Sequence, residues 1–189
     1  MIRIAALACI LVALALTGCG PQGKVEQGRV IAYDPQTRQV TLIPEAAAPP
    51  RSGPGVLPPV TIATPTDASE MGPAPKSGGL MLVDARNHRI VVYNGATQSF
   101  QTIQYKVVAE RHNVARNAGV AVVDRAGKTI TIYAAKEKAL ITFAASDELL
   151  AMPAATWRAG DVVRYYFKEP GQALRFMNVT ATDLSKAVG

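Results

Sequence analysis

Four stretches of the chain share one pattern: an apolar run, a polar break, then apolar residues on alternate positions. They are VIAYDPQTRQVTLI from Val30, LMLVDARNHRIVVY from Leu80, VAVVDRAGKTITIY from Val120 and VRYYFKEPGQALRFM from Val163. The step across the break is constant, from Asp34 to Val40, Asp84 to Ile90, Asp124 to Ile130 and Lys168 to Leu174. Successive side chains of a strand point to opposite faces, so period-two alternation of β-branched and aromatic residues predicts half-buried strands. The inward set is then Val40 with Leu42, Ile90 with Val92, Ile130 with Ile132, and Leu174 with Phe176. Thr37, Asn87, Gly127 and Gly171 stand three residues into each break, where a short hairpin loop suits a left-handed residue. Four β-hairpins follow.

The hairpins group in pairs. After the first comes Val60-Thr61-Ile62-Ala63-Thr64, then Thr66-Asp67 and Gly78-Gly79 before the second. After the third comes Ile141-Thr142-Phe143-Ala144-Ala145, then Ser146-Asp147 and Gly160-Asp161 before the fourth. Ser146 caps a short helix over Glu148-Leu149-Leu150. Pro73 and Pro75 limit the matching stretch to a single turn. Three strands, a connection and two strands is the order of an OB-like barrel, whose closure hides edge strands. The expected fold is mainly β, two tandem small five-stranded OB-like barrels from an internal duplication. The first covers residues 28–110, with a Pro-rich loop over 44–75, and the second covers 116–183. Ser99 to Val107 reads as one further strand, on the first barrel or bridging the two, and Glu110 to Arg116 as a linker.

The segment VDARNHRIVVY, Val83 to Tyr93, resembles the core of NHL-type propeller repeats, and the alternative fold is a small β-propeller-like array. The second barrel's strand order also resembles small periplasmic copper chaperones of OB fold, which implies a metal site of His, Trp and closely spaced Met near the second and third strands. The corresponding stretch, Tyr133 to Phe143, holds none of these. Met152 and Trp157 fall in the later connection and Met177 in the last strand, where packing accounts for them.

Ahead of the first hairpin, Met1-Ile2-Arg3 carries one positive charge and Ile4 to Leu16 is nearly unbroken Ala, Leu, Ile and Val. This run suits a signal peptide and is too short to span a bilayer. It ends at Leu16-Thr17-Gly18-Cys19, which resembles the lipobox of bacterial lipoprotein precursors. The resemblance implies a signal peptide over 1–18, cleavage between Gly18 and Cys19, acyl chains such as palmitate on Cys19, and a lipidated tether over 19–27. Gly20 rather than Asp after the cysteine implies, by the enterobacterial sorting rule, the outer membrane rather than the inner. The start CGPQGKVEQGRVIAYD and the overall length further resemble an uncharacterised lipoprotein family of sulfate-reducing bacteria, a domain of unknown function; that resemblance implies no activity.

Cysteine usage agrees with export. Cys9 lies in the discarded run and Cys19 carries lipid, so the mature chain has no cysteine for a disulfide, a metal or a nucleophile. The formal charge of +6 falls to +5 when Arg3 leaves, and the excess lies mostly after residue 110, interspersed with acids as on a solvated surface. Tyr165, Tyr166 and Phe167 beside Arg164 and Lys168 have the composition of a base-stacking face, but an exported lipoprotein is not placed to meet nucleic acid. His88 falls in a hairpin turn and His112 in the linker, and Asp34, Asp84 and Asp124 share one turn role. No catalytic residue, metal ligand or cofactor is therefore assigned.

The function expected is a non-catalytic binding or assembly module on the periplasmic face of the cell envelope. Its partners are the membrane, through the Cys19 lipid, and an envelope protein or the cell wall. The alternatives are a periplasmic metal-binding carrier and a cell-wall-acting enzyme. Cys19→Ser is expected to accumulate as uncleaved precursor without fatty-acid label; labelling that persists removes the lipoprotein assignment.

Overall fold

The first hairpin forms where the alternation places it. In a computed structural model, which describes residues 22–45, 57–115 and 121–182, β1 (Lys24–Asp34) turns back as β2 (Gln39–Pro44), and β3 (Val60–Ala63) lies beside β2. The second hairpin is β4 (Leu80–Asp84) with β5 (Arg89–Asn94), followed by β6 (Ser99–Gln104). After β7 (Val107–Arg111), the third is β8 (Val122–Asp124) with β9 (Thr129–Ala134), followed by β10 (Ala139–Ala144). A short helix, α1 (Asp147–Ala151), and a 3-10 turn (Ala154–Trp157) lead to the last hairpin, β11 (Val162–Phe167) and β12 (Arg175–Asn178).

Three of the hairpins share one register. Asp34 faces Gln39, Asp84 faces Arg89 and Asp124 faces Thr129, with Val40, Ile90 and Ile130 next along and fully buried. A bulge recurs at Ile31 in β1 and at Met81 in β4, which lets Val30 and Leu80 face the core as well. The left-handed residue lies one position later than expected, at Arg38, His88 and Lys128, while Thr37, Asn87 and Gly127 donate their backbone N–H to the turn aspartate. The side-chain carboxylate replaces the glycine: it satisfies the turn's N–H groups, and the strain moves to the residue that closes the loop. Two further turns, ending at Gln98 and Lys138, repeat the shape, so β4-β5-β6 and β8-β9-β10 are matching three-strand meanders.

Among the described residues the sheets are three, all antiparallel, and none closes into a barrel. Their orders are β12-β11-β1-β2-β3, β7-β10-β9-β8 and β4-β5-β6. This corrects the expectation of two closed OB-like barrels. The long β1 explains the difference. It pairs with β2 over its second half and with β11 over its first, so the last hairpin joins a sheet begun by the first. β3 meets the loop before β12 at a single bridge, Ala63 with Gln172, and the ladder stops there. Pro59 and Pro65 bracket β3 closely and keep it a short edge strand.

The expected single strand Ser99–Val107 is also corrected. It breaks at Tyr105-Lys106, where Tyr105 N–H still bonds the His88 carbonyl while the Lys106 carbonyl already accepts from Ala144. β6 and β7 are thus one run that passes from one sheet to another, and Glu110-Arg111 belong to β7 instead of a linker. In the fourth hairpin Leu174 faces solvent; Phe176 is buried, and Ala173 takes the inward place beside it. Leu174 lies in the loop before β12, ahead of the ladder in which Phe176 and Asn178 keep the alternation.

Two cores result. One gathers Val30, Val40, Leu42, Val163, Tyr165 and Phe176 under the first sheet. The other joins the two meanders through Ile90, Ile130, Ile132, Ile141, Phe143 and Trp157, with α1 contributing Leu150. Each such buried side chain contributes roughly 1.5–3 kcal/mol. Ser146 caps α1 by accepting from the Leu149 N–H, as its sequence signature predicts.

The cores meet along a seam of crossing backbone. Gly78 N–H donates to the Val30 carbonyl, Val30 N–H to the Asp161 carbonyl, Asp161 N–H to the Lys76 carbonyl and Leu80 N–H to the Arg158 carbonyl. A Cβ on Gly160 would lie 1.9 Å from the Val30 carbonyl oxygen, and one on Gly78 2.3 Å from that of Arg158. Gly160→Ala is expected to cost about 1–3 kcal/mol, read as a lower urea midpoint. Gly95→Ala, with open space around it, is expected to cost less than about 0.5 kcal/mol. Equal midpoints for the two variants would refute the tightness assigned to the seam.

Candidate functional site

Beside the seam lies an open groove of about 670 Å³. Its walls come from β1 (Arg29), the crossing segment before β4 (Lys76), the 154–161 connection, and β9 with its following turn (Tyr133, Ala135). The floor is wide because the lining residues are small: Ala121, Ala135, Ala154, Ala155, Ala159 and Gly160. Trp157 also lines it, fully buried and edge-to-face on Phe143 at 5.9 Å. The Trp157 indole N–H has no hydrogen-bond partner among the described residues.

The polar groups of the groove divide into spent acceptors and available donors. Asp161 is buried, and its Oδ2 accepts from the Lys76 backbone N–H at 2.9 Å and from Asn178 Nδ2 at 2.8 Å. Thr180 Oγ1 accepts from the Val162 N–H at 2.8 Å, and the Gly160 carbonyl accepts from Arg29 Nη1 at 3.0 Å. Arg158 is positioned by its Nε, which donates to the Ser77 carbonyl at 2.9 Å and leaves its terminal nitrogens toward solvent. Lys76 and Arg158 are exposed cations beside one carboxylate that already holds two hydrogen bonds, while Arg29 is engaged with the Gly160 carbonyl. A surface of this kind attracts oxyanions. A second groove, about 310 Å³ between β1, β2 and the 153–156 turn, has no charged residue in its lining.

The residues singled out from sequence lie elsewhere. Gly18 and Cys19 fall outside the described residues. Asp34, Asp84 and Asp124 are three separate turn acceptors on three hairpins. His88 closes its turn with its ring 5.6 Å from that of Tyr105, and His112 stands exposed with Nε2 3.5 Å from Glu110. Burial, reinforced by Glu110, Glu137 and Asp84, pushes the Tyr105 phenol up. Met152 packs in the same core as Trp157, whereas Met177 lies in β12 opposite Arg164, so the chaperone-like trio is not assembled. Among the described residues no three His, Cys, Asp or Glu converge as a metal cage. Tyr165 is buried with its hydroxyl donating to Glu26 at 2.7 Å, while Tyr166 and Phe167 are half-buried.

Arg29, Lys76, Asp161 and Asn178 were not legible as a group, because they come from four distant places in the chain. The signal was nonetheless present in Gly78-Gly79 and Gly160-Asp161, which hold matching places after the first and third hairpins. The structure brings them against each other: Gly79 bridges to Ala159, and a Cβ on Gly78 would lie 2.4 Å from the Gly160 nitrogen.

Fold and groove together define a mainly β protein of small antiparallel sheets with a cationic surface cleft where its cores join. The chain belongs to the family of a domain of unknown function (DUF4881), whose profile matches residues 21–187. No curated protein and no solved structure matches the chain.

The Asp84 carboxyl is held below its usual 3.8, first by the Asn87 side-chain amide, then by the Asn87 backbone N–H and by Arg89. A lowered folded-state pKa contributes stability above the unfolded value, lost as pH falls through the lowered one. Asp84→Asn is therefore expected to unfold at lower urea than the parent at about pH 6, with the gap narrowing as pH falls below the unfolded value and through the lowered one. A gap that does not change with pH would assign the loss to turn geometry alone.

Proposed function

We propose that the chain is a lipid-anchored binding module of the bacterial cell envelope, held by acylated Cys19 on the periplasmic face of the outer membrane and acting without catalysis. Its binding surface in this reading is the seam groove, and its ligand presents a carboxylate or phosphate group of an envelope component. The observation that carries the reading is the presence of two exposed lining cations, Lys76 and Arg158, beside acceptors that are already satisfied. A bound oxyanion takes hydrogen bonds from Arg158 and Lys76 without displacing an internal partner of either side chain's terminal nitrogens. The lipobox at Leu16-Thr17-Gly18-Cys19 supports the envelope placement. No helix of the described residues is long and apolar enough to cross a membrane, which leaves attachment in this reading to the acyl chains.

Trp157 is the single tryptophan of the chain and lines the groove, so its fluorescence reports occupancy. Titration with citrate as the carboxylate probe and pyrophosphate as the phosphate probe is expected to give a saturable change with one or both. The double variant Lys76→Glu, Arg158→Glu is expected to weaken it at least about tenfold, since one charge-assisted hydrogen bond is worth that much. No change with either probe, or equal affinity in the variant, would refute the groove as an oxyanion site.

A further inference from the structure

We infer that the end of the first sheet from which the tether leaves is a second contact surface, and that it lies against the phospholipid headgroups of the leaflet holding the anchor. The inference rests on the acylation of Cys19. Five residue steps separate Cys19 from Lys24, the first residue of β1, which at about 3.4 Å per residue places the folded body within about 17 Å of the acylated sulfur. A tether this short brings one particular end of the protein to the membrane.

That end has the composition an interface takes. Lys24 pairs with Phe167 and Val25 with Tyr166 in the β1–β11 ladder. Leu174 N–H donates to the Tyr166 carbonyl, which seats Leu174 at the same strand ends. Val25 is 61% exposed and Leu174 43% exposed, although neighbouring positions Tyr165, Ala173 and Phe176 are buried in the first core. Half-buried Tyr166 pairs with Val25, while Phe167 packs on that core, and Lys24 and Lys168 flank this end as exposed cations. A Cβ on Gly23 would lie 2.1 Å from the Tyr166 ring, so the chain leaves the sheet directly under that phenol. Of the nearby acids, Glu26 is bonded to the Tyr165 hydroxyl, and Glu169 lies in the β11–β12 loop beside Lys168. Aliphatic and aromatic side chains rimmed by lysines suit the boundary between headgroups and acyl chains, and lysines favour anionic lipid. Exposed Val108 on β7 and Val122 on β8 belong to another sheet and serve as the comparison.

The test uses the full chain expressed with its own N-terminus, purified after acylation and reconstituted in vesicles of phosphatidylethanolamine and phosphatidylglycerol. A cysteine introduced at Val25, Leu174, Val108 or Val122 is the single free thiol once Cys9 is removed with the signal peptide and Cys19 carries its lipid, and it carries a fluorophore. Nitroxide-headgroup lipid is expected to quench the labels at positions 25 and 174 at least about twofold more than those at 108 and 122. Equal quenching at all four positions overturns the contact surface while leaving the anchor in place. Mass spectrometry showing an unacylated Cys19 overturns the anchor and the contact surface together.

Discussion

The structure depends on one crossing of backbones. Asp161 donates and accepts through its main chain to Lys76 and Val30, and its carboxylate takes the Lys76 N–H and the Asn178 amide. Four contacts from one residue thus tie the first strand, the passage between the cores and the last strand. A buried carboxylate is tolerable only when its acceptor capacity is used in this way, because an unpaired one would be costly to remove from water. The neighbouring glycines let the segments approach to hydrogen-bonding distance, where a side chain on Gly160 or Gly78 would keep them apart.

The groove is a consequence of the same crossing. Two packed units, one a single sheet and the other two meanders over a shared core, leave a re-entrant surface where they join, and clefts between packed units are where ligands commonly sit. The segments that cross there line this surface with alanine and glycine, so space remains, and Arg29, Lys76 and Arg158 from three separate elements also line it.

Much of the local structure was legible. The inward positions Val40, Leu42, Ile90, Val92, Ile130 and Ile132 are buried as their alternation requires, because strand geometry ties every second residue to one face. The Ser146 cap and the short turn in place of a helix near Pro73 were legible for equally local reasons. Leu174 was misjudged because it belongs to the loop that precedes β12, where strand alternation does not yet hold. The left-handed positions were misjudged by one residue because an aspartate side chain can satisfy a turn that would otherwise need glycine.

Amino-acid order by itself determined most of the strands, three of the turns and most of the inward positions, since these follow from φ/ψ preferences and side-chain alternation over a few residues. Only the tertiary structure decided which strands pair across 130 residues of separation, why the sheets stay open, and where Arg29, Lys76, Arg158 and Asp161 meet. Strand edges are chemically alike along their backbones. Partner choice therefore depends on how whole faces pack and on where glycines permit crossing, a property that no local stretch of sequence contains.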